Sequence, residues 1–255
     1  MAVTLEEIWR FPVKGLSGER LAQVDLTPHE ALPYDRAFAI ENGAGKFDPL
    51  APKHLPKIAF FMLMRHEKLA ALETRFEVDK ERLVVMREGQ QVAAGVLSTP
   101  TGRAMIAQFF SAYLGTDARA TPRVVSAPGH VFSDMATPAV HIVNLASVRE
   151  LERTFGAPVD PMRFRANLII DGAPAWSEFD WVDRDITIGN VVLRGFCQTE
   201  RCAATEVNPS TAERDMSLPR HLERHFGHTD FGIYATVKTG GTITTGAELG
   251  VAETA

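Results

Sequence analysis

The segment Cys197 to Thr211, CQTERCAATEVNPST, holds both cysteines of the chain and the residue types best suited to nucleophilic or soft-metal chemistry. Cys202 follows Arg201 directly, with Arg194 nearby in sequence. Cationic neighbours favour a thiolate, and a thiolate is both a nucleophile and a soft-metal ligand. Three other readings stand beside this one. Both cysteines can be small buried hydrophobes, the usual fate of free cysteine. Cys197 and Cys202 with His221 and His225 loosely resemble a two-cysteine, two-histidine zinc array, although the pairs lie too far apart for a finger. A Cys/His nucleophile would need His141, which sits in the apolar run VHIVNL and reads as a core histidine. An extended segment would hold the two cysteines beyond the ~7 Å Cα limit for a disulfide, so each is read as a thiol.

The elements that must position these residues are mostly short strands. Leu21 to Leu26, Ala37 to Glu41, Arg82 to Arg87 and Gln91 to Leu97 have β-like patterns, the last two joined at Glu88-Gly89-Gln90. Gly189-Asn190 between two β-branched runs is a strong hairpin signal. Gly232 to Lys238, a Gly-Gly turn and Thr242 to Thr245 predict a second hairpin, and Ala203 to Val207 alternates as a strand would. Helices are expected at Gly102 to Leu114, at Ser147 to Phe155 with a Ser147-x-x-Glu150 capping box, and at Leu218 to Phe226 before Gly227. His221 and His225 then fall on a solvated helix face. The stretch Thr116 to Pro128 reads as a linker, dividing the chain into residues 1–120 and 121–255. The expected fold is mainly β, of β-barrel type, with several connecting α-helices.

The 255 residues are 45% hydrophobic and 23% charged, the profile of an ordinary globular protein. A net charge of -5 and a pI near 5.9 argue against nucleic acid as a partner. The longest apolar run, Ile58 to Met64, is far short of the about 20 residues a membrane span needs. The N-terminal residues lack an apolar stretch of the secretory type. A cytoplasmic protein with no membrane partner is the expectation.

Several motifs occur in order. Phe164-Arg165-Ala166-Asn167 is followed by Glu178 with Trp181, Ile188-Gly189, and Arg201-Cys202 through Thr205, Val207, Asn208-Pro209 and Thr211. This series resembles the MOSC domain, the domain type found at the C-terminus of molybdenum-cofactor sulfurases. Phe11-Pro12-Val13-Lys14, Gly18-Glu19 and Tyr34-Asp35-Arg36 resemble the N-terminal MOSC β-barrel domain of the amidoxime-reducing branch. Together the resemblance spans nearly the whole chain.

The resemblance implies that Cys202 supplies a thiolate to molybdenum, as metal ligand and catalytic residue, beside a molybdopterin cofactor. Lys14, Arg36 and Arg165 would clamp its phosphate, as cations do through charge-assisted hydrogen bonds. Ser147 and Asn167 would add neutral hydrogen bonds, and Arg201 completes the cofactor-binding set. Glu178 is a weak second candidate, and Trp176 and Trp181 are read as packing. The implied activity is reduction of N-hydroxylated small molecules. Two cysteines cannot ligate a [2Fe–2S] cluster, so electrons would come from a separate ferredoxin- or cytochrome-type protein. The alternative is a carrier of persulfide sulfur or of the molybdenum cofactor, without turnover. The chain departs from the pattern at Gly15, where Ser is usual, at Asn208 and Ala212, and in the segment Phe47 to Lys57, which is expected at the substrate entrance.

Overall fold

The computed structural model describes residues 2–43 and 45–252. Its strands are β1 (Val3–Arg10), β2 (Glu19–Leu21), β3 (Gln23–Leu26), β4 (Ala39–Glu41), β5 (Glu73–Glu77), β6 (Arg82–Arg87), β7 (Gln90–Val96) and β8 (Arg123–Val125) in the first half. The second half adds β9 (Val140–Asn144), β10 (Leu168–Asp171), β11 (Asp185–Ile188), β12 (Val191–Glu200), β13 (Asp230–Thr239), β14 (Gly241–Thr244) and β15 (Glu248–Val251). The α-helices are α1 (Pro100–Leu114), α2 (Leu145–Phe155) and α3 (Leu218–Phe226).

The mainly β expectation is met by a closed barrel. Its staves run β1-β10-β9-β13-β12-β11-β15 and back to β1, with β2 added on β1. All these pairs are antiparallel except β9 with β10. Closure removes the exposed edges that an open sheet would leave. The interior is branched aliphatic: Leu5, Ile8, Ile142, Leu168, Ile186, Leu193 and Ile233 are buried together. β1, from the start of the chain, is therefore a stave among strands of the second half. Elsewhere in the first half the β5-β6-β7 meander packs against α1 around Phe38, Phe61, Phe76, Val85, Ile106 and Phe110.

The Gly189-Asn190 hairpin forms as predicted, with Ile188 opposite Val191. Two other expectations are corrected. Thr242 to Thr245 does not fold back on β13; β14 pairs with β3. Gly240 allows this, because a Cβ there would stand 2.5 Å from the Leu26 carbonyl oxygen. Ala203 to Val207 is no strand but a 3-10 turn, Ala203–Glu206. The stretch Thr116 to Pro128, read as a linker, also carries the short strand β8, which pairs with β4.

Candidate functional site

The site begins with the shape of β12. Its register against β13 shifts at three places, including Gly195 to Cys197 and Gln198 to Glu200. Such irregularities bend a strand and increase its twist. Gly195 permits the bend at its own position, since a Cβ would lie 2.3 Å from the Trp181 carbonyl oxygen. The strand thus delivers Arg201 and Cys202 to the wall of a cavity of about 420 Å³.

Cys202 is the N-cap of the 3-10 turn and is half-buried at the cavity. Thr205 holds the turn closed, donating from its N–H and from its hydroxyl to the Cys202 carbonyl, each at 3.0 Å. Arg163, buried beneath, donates to the carbonyls of Thr205 and Glu206 and forms a bidentate pair with Asp215 at 2.7 and 2.8 Å. These carbonyls are held by side chains rather than a neighbouring strand, which explains the failure of the strand prediction.

Much of the remaining lining is basic. Lys14 follows β1 and donates to the Phe132 carbonyl at 2.9 Å and to Asp134. Burial lowers its pKa, against the pull of Asp134. Arg36 donates to Asp35, to the Arg165 carbonyl at 2.9 Å and to Asn167 Oδ1 at 3.4 Å. Its guanidinium lies 4.6 Å from the Phe11 ring centroid, and that of Arg165 lies 4.3 Å from the same centroid. Arg165 takes the left-handed conformation, φ 54°, at the end of a 3-10 turn, Pro161–Phe164, which aims its side chain inward. Among the described residues no acceptor hydrogen-bonds its guanidinium. Burial, reinforced by repulsion from Arg36, pushes its pKa down to about 9. Arg201 donates to the Phe164 carbonyl at 2.9 Å, while its buried Nε has no partner.

Lys14, Arg36, Arg165, Asn167, Arg201 and Cys202 all line this one cavity. Asn167 is largely engaged already: its Oδ1 accepts from the His141 N–H at 3.1 Å and its Nδ2 donates to the Trp9 carbonyl at 3.1 Å. Ser147 is not brought to the site. Its hydroxyl donates to the buried Glu178 carboxylate at 2.7 Å, and the α2 cap is Asn144 instead. Glu178 also accepts from Asn144 at 3.2 Å and stays outside the cavity. Arg194 points elsewhere and pairs with Asp185 at 3.2 Å, so it does not attend the thiol. Cys197 is a free thiol away from the cavity, its pKa raised by burial and by Asp230. His221 stacks on His225 at 4.1 Å and meets Thr154 Oγ1 at 3.0 Å. Among the described residues no three His, Cys, Asp or Glu side chains gather as a metal set.

Sequence reasoning missed Asp134, Tyr234 and the Met62–Met64 segment, all of which line the cavity. Asp134 belongs to no predicted element; burial would raise its pKa, but Lys14 and Lys57 outweigh that and hold it low. Lys57 was signalled by its unusual segment. Burial would lower its ammonium, yet Asp134 and the Cys202 thiol facing it keep it above its ordinary value. His141 is buried at the cavity, where burial and then Arg201 and Arg36 hold it well below its ordinary pKa, as a neutral ring. Gly15 has a structural reason: φ is 81° and a Cβ would stand 2.8 Å from the Phe61 carbonyl oxygen. A serine there would be strained.

The lining carries six basic side chains against Asp35, Asp134 and Glu200, so the cavity is set for an anion. An unpaired guanidinium facing it and an orphaned buried Nε suit a phosphate-bearing, electron-rich group, and the single thiol suits a soft metal carried by that group. The donor set fits a molybdopterin cofactor.

Residues 129–250 match the MOSC domain, and residues 2–117 match the MOSC N-terminal beta barrel domain. A molybdenum cofactor sulfurase of Drosophila willistoni is 34% identical over 139 residues, covering 51% of this chain and 17% of that protein. Mitochondrial amidoxime reducing component 2 of Rattus norvegicus is 24% identical over 169 residues, covering 55% of this chain and 49% of that protein. The chain thus spans half or less of the curated relatives it matches. Among solved structures, the YUAD protein from Bacillus subtilis aligns over 98% of this chain and 96% of its own, at 13% identity and a TM-score of 0.46.

Proposed function

The chain belongs to the MOSC family, an N-terminal MOSC barrel domain followed by a MOSC domain, and on that footing we propose that it is a molybdenum-cofactor oxidoreductase that reduces N-hydroxylated small molecules. The family assignment points to the molybdenum cofactor itself. The substrate class and the reductive direction are our reading, supported by the similarity to proteins named amidoxime reducing components. The observation that carries it is the meeting of one cavity-facing thiol, Cys202, with the cations Lys14, Arg36, Arg165 and Arg201, of which Arg165 has no acceptor among the described residues and Arg201 an unpartnered Nε.

When bound, the cofactor would supply the two-electron chemistry that removes oxygen from an N–O group. The chain's own residues would do the remainder. Cys202 would hold the metal through its thiolate, on a turn fixed by Arg163. Arg165 and Arg36 would hold phosphate, their guanidinia already stacked at the Phe11 ring and so losing little freedom on binding. Lys14 is anchored by Phe132 and Asp134, and would contribute field more than a free donor. His141, kept neutral by burial, adds no further positive charge. We assign the electron supply to a separate ferredoxin- or cytochrome-type partner; the two cysteines of these 255 residues are too few for a cluster.

The test is chemical analysis of protein from a host that makes the cofactor. We expect molybdenum and releasable pterin in the native chain, loss of metal in Cys202→Ser, and reduction of benzamidoxime with an artificial donor only in the native chain. Absence of both metal and pterin would sink the reading. One added sulfur on Cys202 after incubation with a desulfurase, with no reduction of benzamidoxime by the loaded chain, would replace it with the carrier.

A further inference from the structure

The cavity is uneven in character. Arg36 and Arg165 meet at the Phe11 ring. Near Cys202 the lining has two parts: Lys57, which faces the thiol, and an apolar wall, the segment Met62–Met64. Arg214 shows how close that wall stands to the thiol. One guanidinium donates to the Leu63 and Met64 carbonyls at 3.1 and 2.8 Å and to the Ala203 carbonyl at 2.8 Å, just after Cys202. The same contacts engage the carbonyls of the segment. The Met62 carbonyl is engaged by the N–H groups of Arg65 and His66, at 3.1 and 3.0 Å, and the next two carbonyls by Arg214. What this segment offers the cavity is chiefly the thioether surface of Met62 and Met64, Leu63 packing also on the core of the first half. Wetted apolar surface in a concave site gains free energy when an apolar group covers it, and methionine adapts to groups of varied shape.

We propose that this wall is the recognition face for an apolar substituent of the substrate, so that the chain acts on N-hydroxylated compounds carrying alkyl or aryl bulk rather than on small polar ones. The inference rests on the reductase reading above. Arg214 is its positioning residue, fixing the wall relative to the Cys202 turn.

A homologous series, acetamidoxime to octanamidoxime, tests it on the cofactor-loaded chain with an artificial donor. Each methylene buried against the wall is worth about 0.8 kcal/mol, a rise in kcat/KM of about fourfold until the wall is covered. Equilibrium dialysis of the matching amidines gives the same ranking without turnover. Met64→Gln is expected to flatten both series and Met64→Leu to preserve them, while Arg214→Gln flattens them with molybdenum content intact. Flat series in the native chain, with metal and pterin present, overturn the wall and leave the cofactor reading standing. Loss of pterin in Met64→Gln without a change of slope would assign the wall to the cofactor and overturn the proposal. Absence of molybdenum and pterin from the native chain would overturn both readings together.

Discussion

Two buried polar clusters in this chain sit at motif positions, and they are built on opposite principles. Around Glu178, one carboxylate is enclosed by neutral donors, the Ser147 hydroxyl and the Asn144 amide, with no basic side chain bonded to it among the described residues. Around Arg165, cations outnumber the acceptors provided for them, and the surplus opens onto a cavity. The first cluster is satisfied within the chain, so it ties the Ser177–Trp181 turn to the start of α2. The second is incomplete, and a buried charge without a partner is costly enough to imply one that arrives from outside. Motif membership alone does not separate these cases; counting the partners does.

The sharpest way to break this contrast is Arg165→Met. If the guanidinium awaits an anion, its removal should weaken cofactor retention by about 3 kcal/mol, roughly a hundredfold, as loss of one partner of a buried charge pair does. The cofactor-free variant should melt no lower than the native chain, because an uncompensated buried charge has been replaced by an apolar side chain. Released-pterin fluorescence and thermal melts of the cofactor-free proteins measure the two effects. A variant that keeps its pterin, or that melts well below the native chain, would make Arg165 a structural residue like Glu178.

Ser147→Ala probes the other cluster, with a smaller effect of a different kind. Removing the hydroxyl leaves the buried Glu178 carboxylate short of a donor, and the Trp176 N–H loses its acceptor at 2.8 Å. The expected cost is about 2 kcal/mol of folding stability in urea denaturation, with molybdenum and pterin content unchanged. Cofactor loss at unchanged stability would return Ser147 to the cofactor-binding set that its motif position suggested.

The contrast also marks what the sequence could tell. Local chemistry was legible: Gly189-Asn190 turned a hairpin, and the Gly156 and Gly227 caps ended α2 and α3. Non-local pairing was not. Nothing in Val3–Arg10 signals that it closes a barrel against Leu168–Asp171, because that pairing joins residues far apart in the chain. Likewise the alternation of Ala203 to Val207 fits a strand until Arg163 and Arg214 take its carbonyls. Motif order brought Lys14, Arg36, Arg165, Asn167, Arg201 and Cys202 to one cavity, but it could not tell that Ser147 serves Glu178 or that Asp134 would face Lys14.

The gentlest test is a titration. Burial raises the Glu178 pKa, and the hydrogen bonds from Ser147 and Asn144 offset this only in part. A carboxyl whose folded pKa is raised holds its proton where the unfolded chain has lost it. Its contribution to stability is therefore fully present below the ordinary carboxylate pKa and is lost as pH climbs through the raised value. For a single group the slope cannot exceed about 1.4 kcal/mol per pH unit. Glu178→Gln keeps an acceptor for Ser147 but cannot ionise, so its stability should lose that decline while matching the native chain in acid. Urea denaturation from pH 4 upward reads the difference, for example as a gap that opens with rising pH. A gap of the opposite sign, with the Gln variant losing more stability toward neutral pH, would mean that the carboxylate is held charged by its neighbours. The two clusters would then differ in the sign of their charge and not in the completeness of their partners.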